Sequence, residues 1–287
     1  MRVALTLRLL GGLTTSRVAR AQLISEGAVA QRIVRAKRTL SSARVPFEIP
    51  AADERAERLS AVLEVIYLIF NEGHSAAGGE HWTRPELCRE AMRLGRILAA
   101  LMPREGEVHG LLALMELQAS RLPARTAPDG HPVLLADQDR ALWDGILVQR
   151  GLASLARAET LSIPLGTYAL QAAIAACHAR SPRFEATDWP QFVSLYDALA
   201  ALTASPVVEL NRAVAVGMAY GPAPALEIIE GILDEPALRG YHLLPAVQGD
   251  LLARLERHDE AQAAFARAAA ICRNERERAL LLARASP

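Results

Sequence analysis

Aromatic residues supply only 5% of the 287 positions, and lysine occurs once, at Lys37, against 31 arginines. With 54 alanines, the best helix former and a poor strand former, the scarcity of aromatics argues against an all-β fold. Cysteine is nearly absent too. Cys88, Cys177 and Cys272 are far apart and odd in number, which gives neither a zinc pattern nor a disulfide framework and suits a reducing cytoplasm. No run of 18 uninterrupted apolar residues exists, which excludes a membrane-spanning helix. The short apolar stretch from Met1 to Gly12 is broken by Arg8 and lacks a small-residue cleavage site after a long apolar core, so a signal peptide is not expected. What is abundant is apolar surface, 51% of residues, enough for a sizeable core in a chain of 31.0 kDa.

The net charge of zero conceals an asymmetry. Residues 1–44 hold nine basic side chains and one acidic, Glu26, for a net of +8; residues 45–287 hold the remaining 23 basic and 31 acidic, for a net of −8. A short basic head on an acidic body suggests a polyanion-binding module joined to something else. The segment from Ala43 to Pro50 contains Pro46 and Pro50, which disfavour helix in themselves and in the preceding residue, and reads as a linker over 45–52.

Within the head, Thr6 to Leu10 reads as the end of a helix stopped by Gly11-Gly12. Thr14 or Thr15 can cap a second helix to about Gln22, and Ser25 a third from Glu26 to about Leu40, with Glu26 at its positive end. On the third helix Val29, Ile33, Ala36 and Leu40 share one face. Gln31, Arg35 and Arg38 fall on the opposite face, with Arg32 and Lys37 on its flanks. That division suits a helix-turn-helix, whose recognition helix packs with one side and meets phosphates and base edges with the other. Arginine can pair bidentately with guanine and glutamine with adenine. An ordinary amphipathic hairpin with a charged outer face has the same periodicity.

Two strings distinguish these readings: Gly12-Leu13-Thr14-Thr15-Ser16-Arg17-Val18-Ala19, and Ser25-Glu26-Gly27-Ala28-Val29-Ala30-Gln31-Arg32-Ile33-Val34-Arg35-Ala36-Lys37-Arg38. Together they resemble region 4 of bacterial extracytoplasmic-function sigma factors. The resemblance implies that Ala28, Gln31, Arg32 and Arg35 lie on the helix that reads the −35 promoter element; Lys37 and Arg38, from the charged side of the same helix, are expected as further DNA contacts. The sequence departs from the commonest form at Ala28 and Ala30, where threonine and lysine are frequent. A sigma factor also carries region 2, N-terminal to region 4, which binds the polymerase clamp and melts the −10 element. No counterpart precedes the head here, so the expectation is the C-terminal part of a sigma factor, through a truncated gene or a misassigned start. Alone it would not initiate transcription.

From Asp53 onward the pattern is helix after helix. Leu59, Val62, Leu63, Ile66, Ile69 and Phe70 recur at helical spacing. Further helices are expected from Pro85 to about Met102, from Gly106 to Ser120, and from a cap at Asp137 through Trp143 to about Thr160. Later helices cover about 166–180, 189–203, 207–219, 223–233, 240–256, 259–272 and 275–284. Residues 122–136, rich in proline and glycine, read as a long loop with a small hairpin as one option. Asp137 and Asp139 are explained as a helix cap and a first-turn charge, and Trp143 as a core residue. In the last third, Gly249, Ala261, Phe265 and Ala268 match the small-small-aromatic-small positions of a tetratricopeptide repeat; 36 residues earlier stand Ala213, Ala225, Ile229 and Ile232. The tryptophan, tyrosine and proline positions of that repeat are not all filled, and plain Ala-rich hairpins would use the same small residues.

Three more strings, from Val65 to Gly73, from Asp137 to Asp144 and from Ser205 to Val216, resemble the helical, tetratricopeptide-like C-terminal extension of one group of extracytoplasmic-function sigma factors. In that group the extension takes part in controlling the sigma factor, in place of a conventional anti-sigma factor. The family offers no catalytic residues.

Two motifs point elsewhere. Gly73-His74-Ser75-Ala76-Ala77 approaches a nucleophile elbow, with Val65–Phe70 as its strand, but the fifth position is alanine and no further strands are at hand for a sheet. Glu72, His74, Glu80 and His81 cluster within ten residues, yet lack a helical His-x-x-x-His pair or a cysteine partner, so a structural or exposed role is expected rather than a metal site.

The expectation is therefore an all-α, cytoplasmic protein: a helix-turn-helix at 1–44, incomplete at its N-terminus, then a helical extension at 53–160 and tetratricopeptide-like repeats at 161–287. Its partners would be promoter DNA, the RNA polymerase core and a protein or ligand at the extension. No catalysis, cofactor, metal or membrane contact is expected. The competing expectation is a protein-interaction scaffold with a vestigial helix-turn-helix, and a weaker one is a small-molecule enzyme built on Gly73–His81.

Overall fold

The computed structural model describes residues 14–21, 24–43, 52–74, 83–128, 130, 133–272 and 274–285. The described chain is helical, with no β-strand among these residues. It divides into two compact units, residues 1–103 and 104–287. The first holds α1 (Thr15–Ala21), α2 (Glu26–Ala43), α3 (Ala52–His74) and α4 (Pro85–Leu101). The second holds α5 (Gly106–Ala119), α6 (Gly145–Leu161), α7 (Thr167–Arg180), α8 (Trp189–Thr203), α9 (Pro206–Ala219), α10 (Pro222–Gly231), α11 (Leu243–Arg254), α12 (His258–Ile271) and α13 (Glu275–Ala285). The expected helix at Thr6–Leu10, its Gly11-Gly12 stop and the prolines of the linker lie outside the described residues.

The described part of the first unit opens with α1 and α2. Ile24 N–H donates to the Ala19 carbonyl at 2.9 Å, closing the turn, and the Ser25 hydroxyl accepts from Ala28 N–H at 3.3 Å, capping α2 as its sequence predicts. Val18 and Ala19 of α1 are buried, and α1 packs on both α2 and α3. The next two helices form an antiparallel pair. Leu63, Ile66, Ile69 and Phe70 of α3 are buried, as are Cys88, Ala91 and Met92 of α4. Val62 of the same periodic set faces solvent, as does Leu101 in the last turn of α4. Pro85 stands at the first position of α4, where its missing N–H costs nothing.

The second unit is built around α5, which is buried on nearly every side and flanked by α6 and α7. A helix enclosed in this way loses the polar stripe of a surface helix. Gly110 lets the backbones of α5 and α7 approach: a Cβ there would stand 2.6 Å from the Ala169 nitrogen. The N-terminus of α7 is capped from a distance, since the Glu107 carboxylate accepts from Tyr168 N–H at 2.9 Å and from Ala169 N–H at 3.0 Å. A carboxylate there satisfies two orphan donors and the helix dipole together.

The connection from α5 to α6 corrects two expectations. Asp137 does not cap a helix running through Trp143. It ends a short 3-10 turn, Leu135–Asp137, and a second, Arg140–Leu142, follows. The reason is competition among three aspartates: Asp139 accepts from Ala141 N–H at 2.9 Å and bends the chain, and Asp144 accepts from Ile146 and Leu147 N–H and starts α6. Within the loop, Val133 N–H donates to the Arg125 carbonyl at 2.9 Å, a single hairpin-like bond. Trp143 is half-buried, not a core residue, because cationic side chains cover its ring.

The remainder stacks helix on helix, α8 on α9, α9 on α10, α11 on α12 and α12 on α13, over a shared core that includes Leu210, Ile229, Leu251 and Phe265. The positions assigned to the repeats, Ala213, Ala225, Ile229 and Ile232, then Ala261, Phe265 and Ala268, are all buried. Gly249 sits where α11 meets α12, and a Cβ on it would lie 2.9 Å from the Phe265 ring. Large side chains such as Ile229 and Phe265 each contribute about 1.5–3 kcal/mol by leaving water.

Candidate functional site

The side chains expected to contact DNA all belong to α2. Val29, Ile33 and Ala36 are buried on its inner face, while Gln31, Arg32, Arg35, Lys37 and Arg38 are exposed and Ala28 is half-buried. The side chain of Leu40, expected on the inner face, lies outside the described residues. Glu26 is the acidic residue of the first turn, so from Gln31 to Arg38 the exposed ionisable side chains are all cationic. Val34 is 56% exposed on the same side as Gln31 and Arg35, as single apolar residues on a protein surface often are.

The Glu72, His74, Glu80 and His81 cluster is only partly described. Glu72 and His74 are buried in the last turn of α3, and the His74 ring stacks on Phe70 with centroids 5.6 Å apart. Glu80, His81 and Ser75 lie outside the described residues. The strand an elbow requires is absent at Val65–Phe70, which is helical.

A trio not signalled by sequence spacing, His242, Cys272 and Glu277, brings its ligand-type atoms within 4.8 Å of one another. His242 Nε2 lies 3.0 Å from a Glu277 carboxylate oxygen, and the Cys272 thiol donates to the other oxygen at 3.8 Å. Burial, with the nearby Glu277, pushes the thiol up from its ordinary value and keeps it protonated. The convergence of His242 and Cys272 on the Glu277 carboxylate accounts for the grouping.

A second grouping is cationic. Arg121 and Arg125 flank the 3-10 turn Leu122–Ala124, which packs on the turn begun by Arg140. The guanidinium of Arg140 lies 4.7 Å from the centroid of Trp143 and that of Arg121 lies 5.8 Å away. Arg140 donates through Nη1 to the carbonyls of His178 and Ser181 at the end of α7, a favourable place for a cation. His178 is enclosed by Phe184, Trp189 and Phe192. Its burial, and then Arg121 and Arg140, hold the imidazole down at about 3.

Residues 58–159 match a family of unknown function, DUF6596, and that stretch includes Arg121, Arg125, Arg140 and Trp143. The chain is similar to an uncharacterized protein of Rhizobium meliloti (strain 1021), 48% identical over 279 residues, which cover 97% of this chain and 65% of that protein. The chain thus spans less than two thirds of that relative's length. No solved structure matches it. Among the described residues no helix is long and apolar enough to cross a membrane.

Proposed function

We propose that this chain is the DNA-binding part of an alternative sigma factor, with a helical extension that regulates it. Residues 1–44 act as region 4, and α2 reads a −35 promoter element. The carrying observation is the partition of α2, with Val29, Ile33 and Ala36 inward and Gln31, Arg32, Arg35, Lys37 and Arg38 outward, on a helix capped by Ser25 after a tight turn. In this reading Gln31, Arg32 and Arg35, with Ala28 close by, face bases, and Lys37 and Arg38 hold phosphates. Its partners are promoter DNA and the RNA polymerase core, in the cytoplasm, and it performs no catalysis of its own.

Fluorescence anisotropy of the full chain on a −35-type duplex and on a scrambled duplex tests this. Binding should favour the −35 duplex and weaken steeply with salt. Arg32→Ala and Arg35→Ala should each lower affinity and relax the preference for the −35 duplex, whereas Lys37→Ala and Arg38→Ala should weaken binding to both duplexes and each reduce the salt slope by about 1. Equal binding to both duplexes, or none lost in the variants, would remove α2 as the reader.

The scaffold reading, with a vestigial helix-turn-helix, draws on exposed Leu202, Val214 and Tyr220 along the repeat helices. Recovery of protein partners that never include polymerase, by a chain that ignores DNA, would favour it.

A further inference from the structure

The turns between α5 and α6 collect buried hydrogen-bond donors that find no acceptor among the described residues. Arg121 Nε, Arg140 Nη2 and Trp143 Nε1 are each buried and find no acceptor among the described residues. All three are N–H groups, and none can accept. Arg140 uses its other arm, Nη1, on the end of α7, so its plane is fixed while Nη2 remains unused. Trp143 is the common surface, since both guanidiniums lie over its ring.

The arginines crowd one another. Burial, followed by Arg125 and Arg140, pulls the Arg121 guanidinium down to about 10. Guanidinium is among the hardest groups to perturb, so the shift reports crowding of like charges in a poorly hydrated place. His178 stays neutral and offers no counter-charge. Glu185 is the acid that acts on Arg140. Burying fixed cations and unused donors is unfavourable by itself, and a bound anion would relieve it.

We propose that Arg121, Arg140 and Trp143 form a binding site for an oxyanion, the phosphate or carboxylate group of a small ligand. Arg121 Nε and Arg140 Nη2 each supply one charged donor, and the indole N–H supplies a third, neutral one. Arg125 adds charge that acts on Arg121. The site lies wholly within the second unit, so it stands or falls separately from DNA reading by α2.

The test is thermal unfolding of the full chain at constant ionic strength, with chloride replaced stepwise by inorganic phosphate in one series and by citrate in another. Tryptophan emission is followed in parallel. A bound oxyanion raises the unfolding midpoint along a saturating curve, and the emission change follows the same curve and is lost in Trp143→Phe. Arg121→Gln and Arg140→Gln should weaken the response at least tenfold, and Arg121→Lys, which keeps the charge without the fork, should weaken it less. A response to phosphate alone assigns a phosphoryl ligand, and a response to citrate alone a carboxylate. A midpoint that rises linearly, equally in wild type and Arg121→Gln, is the general stabilising effect of such salts and overturns the proposal. If a glutamine variant does not fold, the wild-type emission curve set against Trp143→Phe decides: no saturable change at Trp143 overturns it.

Discussion

The contact between α5 and α7 can be probed with a single methyl group. A Cβ on Gly110 would stand 2.6 Å from the Ala169 nitrogen, 2.8 Å from its Cα and 3.0 Å from its Cβ, where ordinary contact starts at 3.4 Å. The shortfall against the nitrogen is 0.8 Å, from 3.4 less 2.6, and the obstacle is backbone, so no rotamer change can open the space. Overpacking of this kind costs about 1–3 kcal/mol, with backbone obstruction pointing to the upper part. Against it stands the gain of replacing glycine by alanine within a helix, about 1 kcal/mol. Gly110→Ala should therefore destabilise the second unit by about 1–2 kcal/mol net. For a unit of that size the thermal midpoint falls roughly 2–4 °C per kcal/mol. Gly145→Ala is the matched control: it lies at the start of α6, and nothing is within 4 Å of its added Cβ, so stability should hold or rise. Removing the Ala169 methyl in a double variant should recover little, because the nitrogen and Cα stay where they are. Gly110→Ala as stable as Gly145→Ala in thermal and urea melts would refute the close approach of α5 and α7.

Glu107→Ala removes the cap of α7 from 61 residues away in sequence and should cost about 0.5–2 kcal/mol in urea melts; an unchanged midpoint would show that the two N–H groups find other acceptors. Phe265→Ala should cost about 3–5 kcal/mol, whereas Leu101→Ala, at an exposed position, should leave the midpoint nearly unchanged; similar losses in both would contradict the assigned core. His178 is held at about 3 when folded against about 6.5 when unfolded, so on acidification the unfolded chain takes its proton first. Its contribution to stability is complete above about pH 6.5 and declines as pH falls toward 3, by up to about 1.4 kcal/mol per unit, so His178→Gln should flatten the acid limb of stability against pH; parallel limbs would count against that burial.

Much of the helical plan is local information. Pro85 and Pro103 bound α4, Ser25 starts α2, and the small residues at Gly249, Ala261 and Ala268 mark where α11 and α12 meet. Each is legible because proline, a capping hydroxyl or a missing side chain acts within a turn or two of its own position. The stretch from Leu135 to Trp143 was not legible for the same reason in reverse. Asp137, Asp139 and Asp144 are all capable caps, and sequence gives no rule for which wins. The outcome depends on Arg140, which is drawn to the end of α7 some 38 and 41 residues further along the chain.

The same distinction separates the two candidate sites. The DNA-facing surface proposed for α2 is one helix face, so its residues are related by helical spacing, and burial of Val29, Ile33 and Ala36 leaves the arginine face outward as periodicity predicts. The cationic cluster has no period. Arg121 and Arg125 follow α5, Arg140 opens a 3-10 turn, and His178 ends α7; only the packing of α5 against α7 brings them together. Along the chain each arginine is an ordinary basic residue within an acidic body. What distinguishes it is what surrounds it after folding: an aromatic ring, a neutral histidine and donors that find no acceptor among the described residues. A surface meant for a long polyanion can be written along one helix because the ligand itself is extended and repetitive. A pocket for one small anion must converge from several elements, and convergence is a property of tertiary structure that no single window of sequence contains.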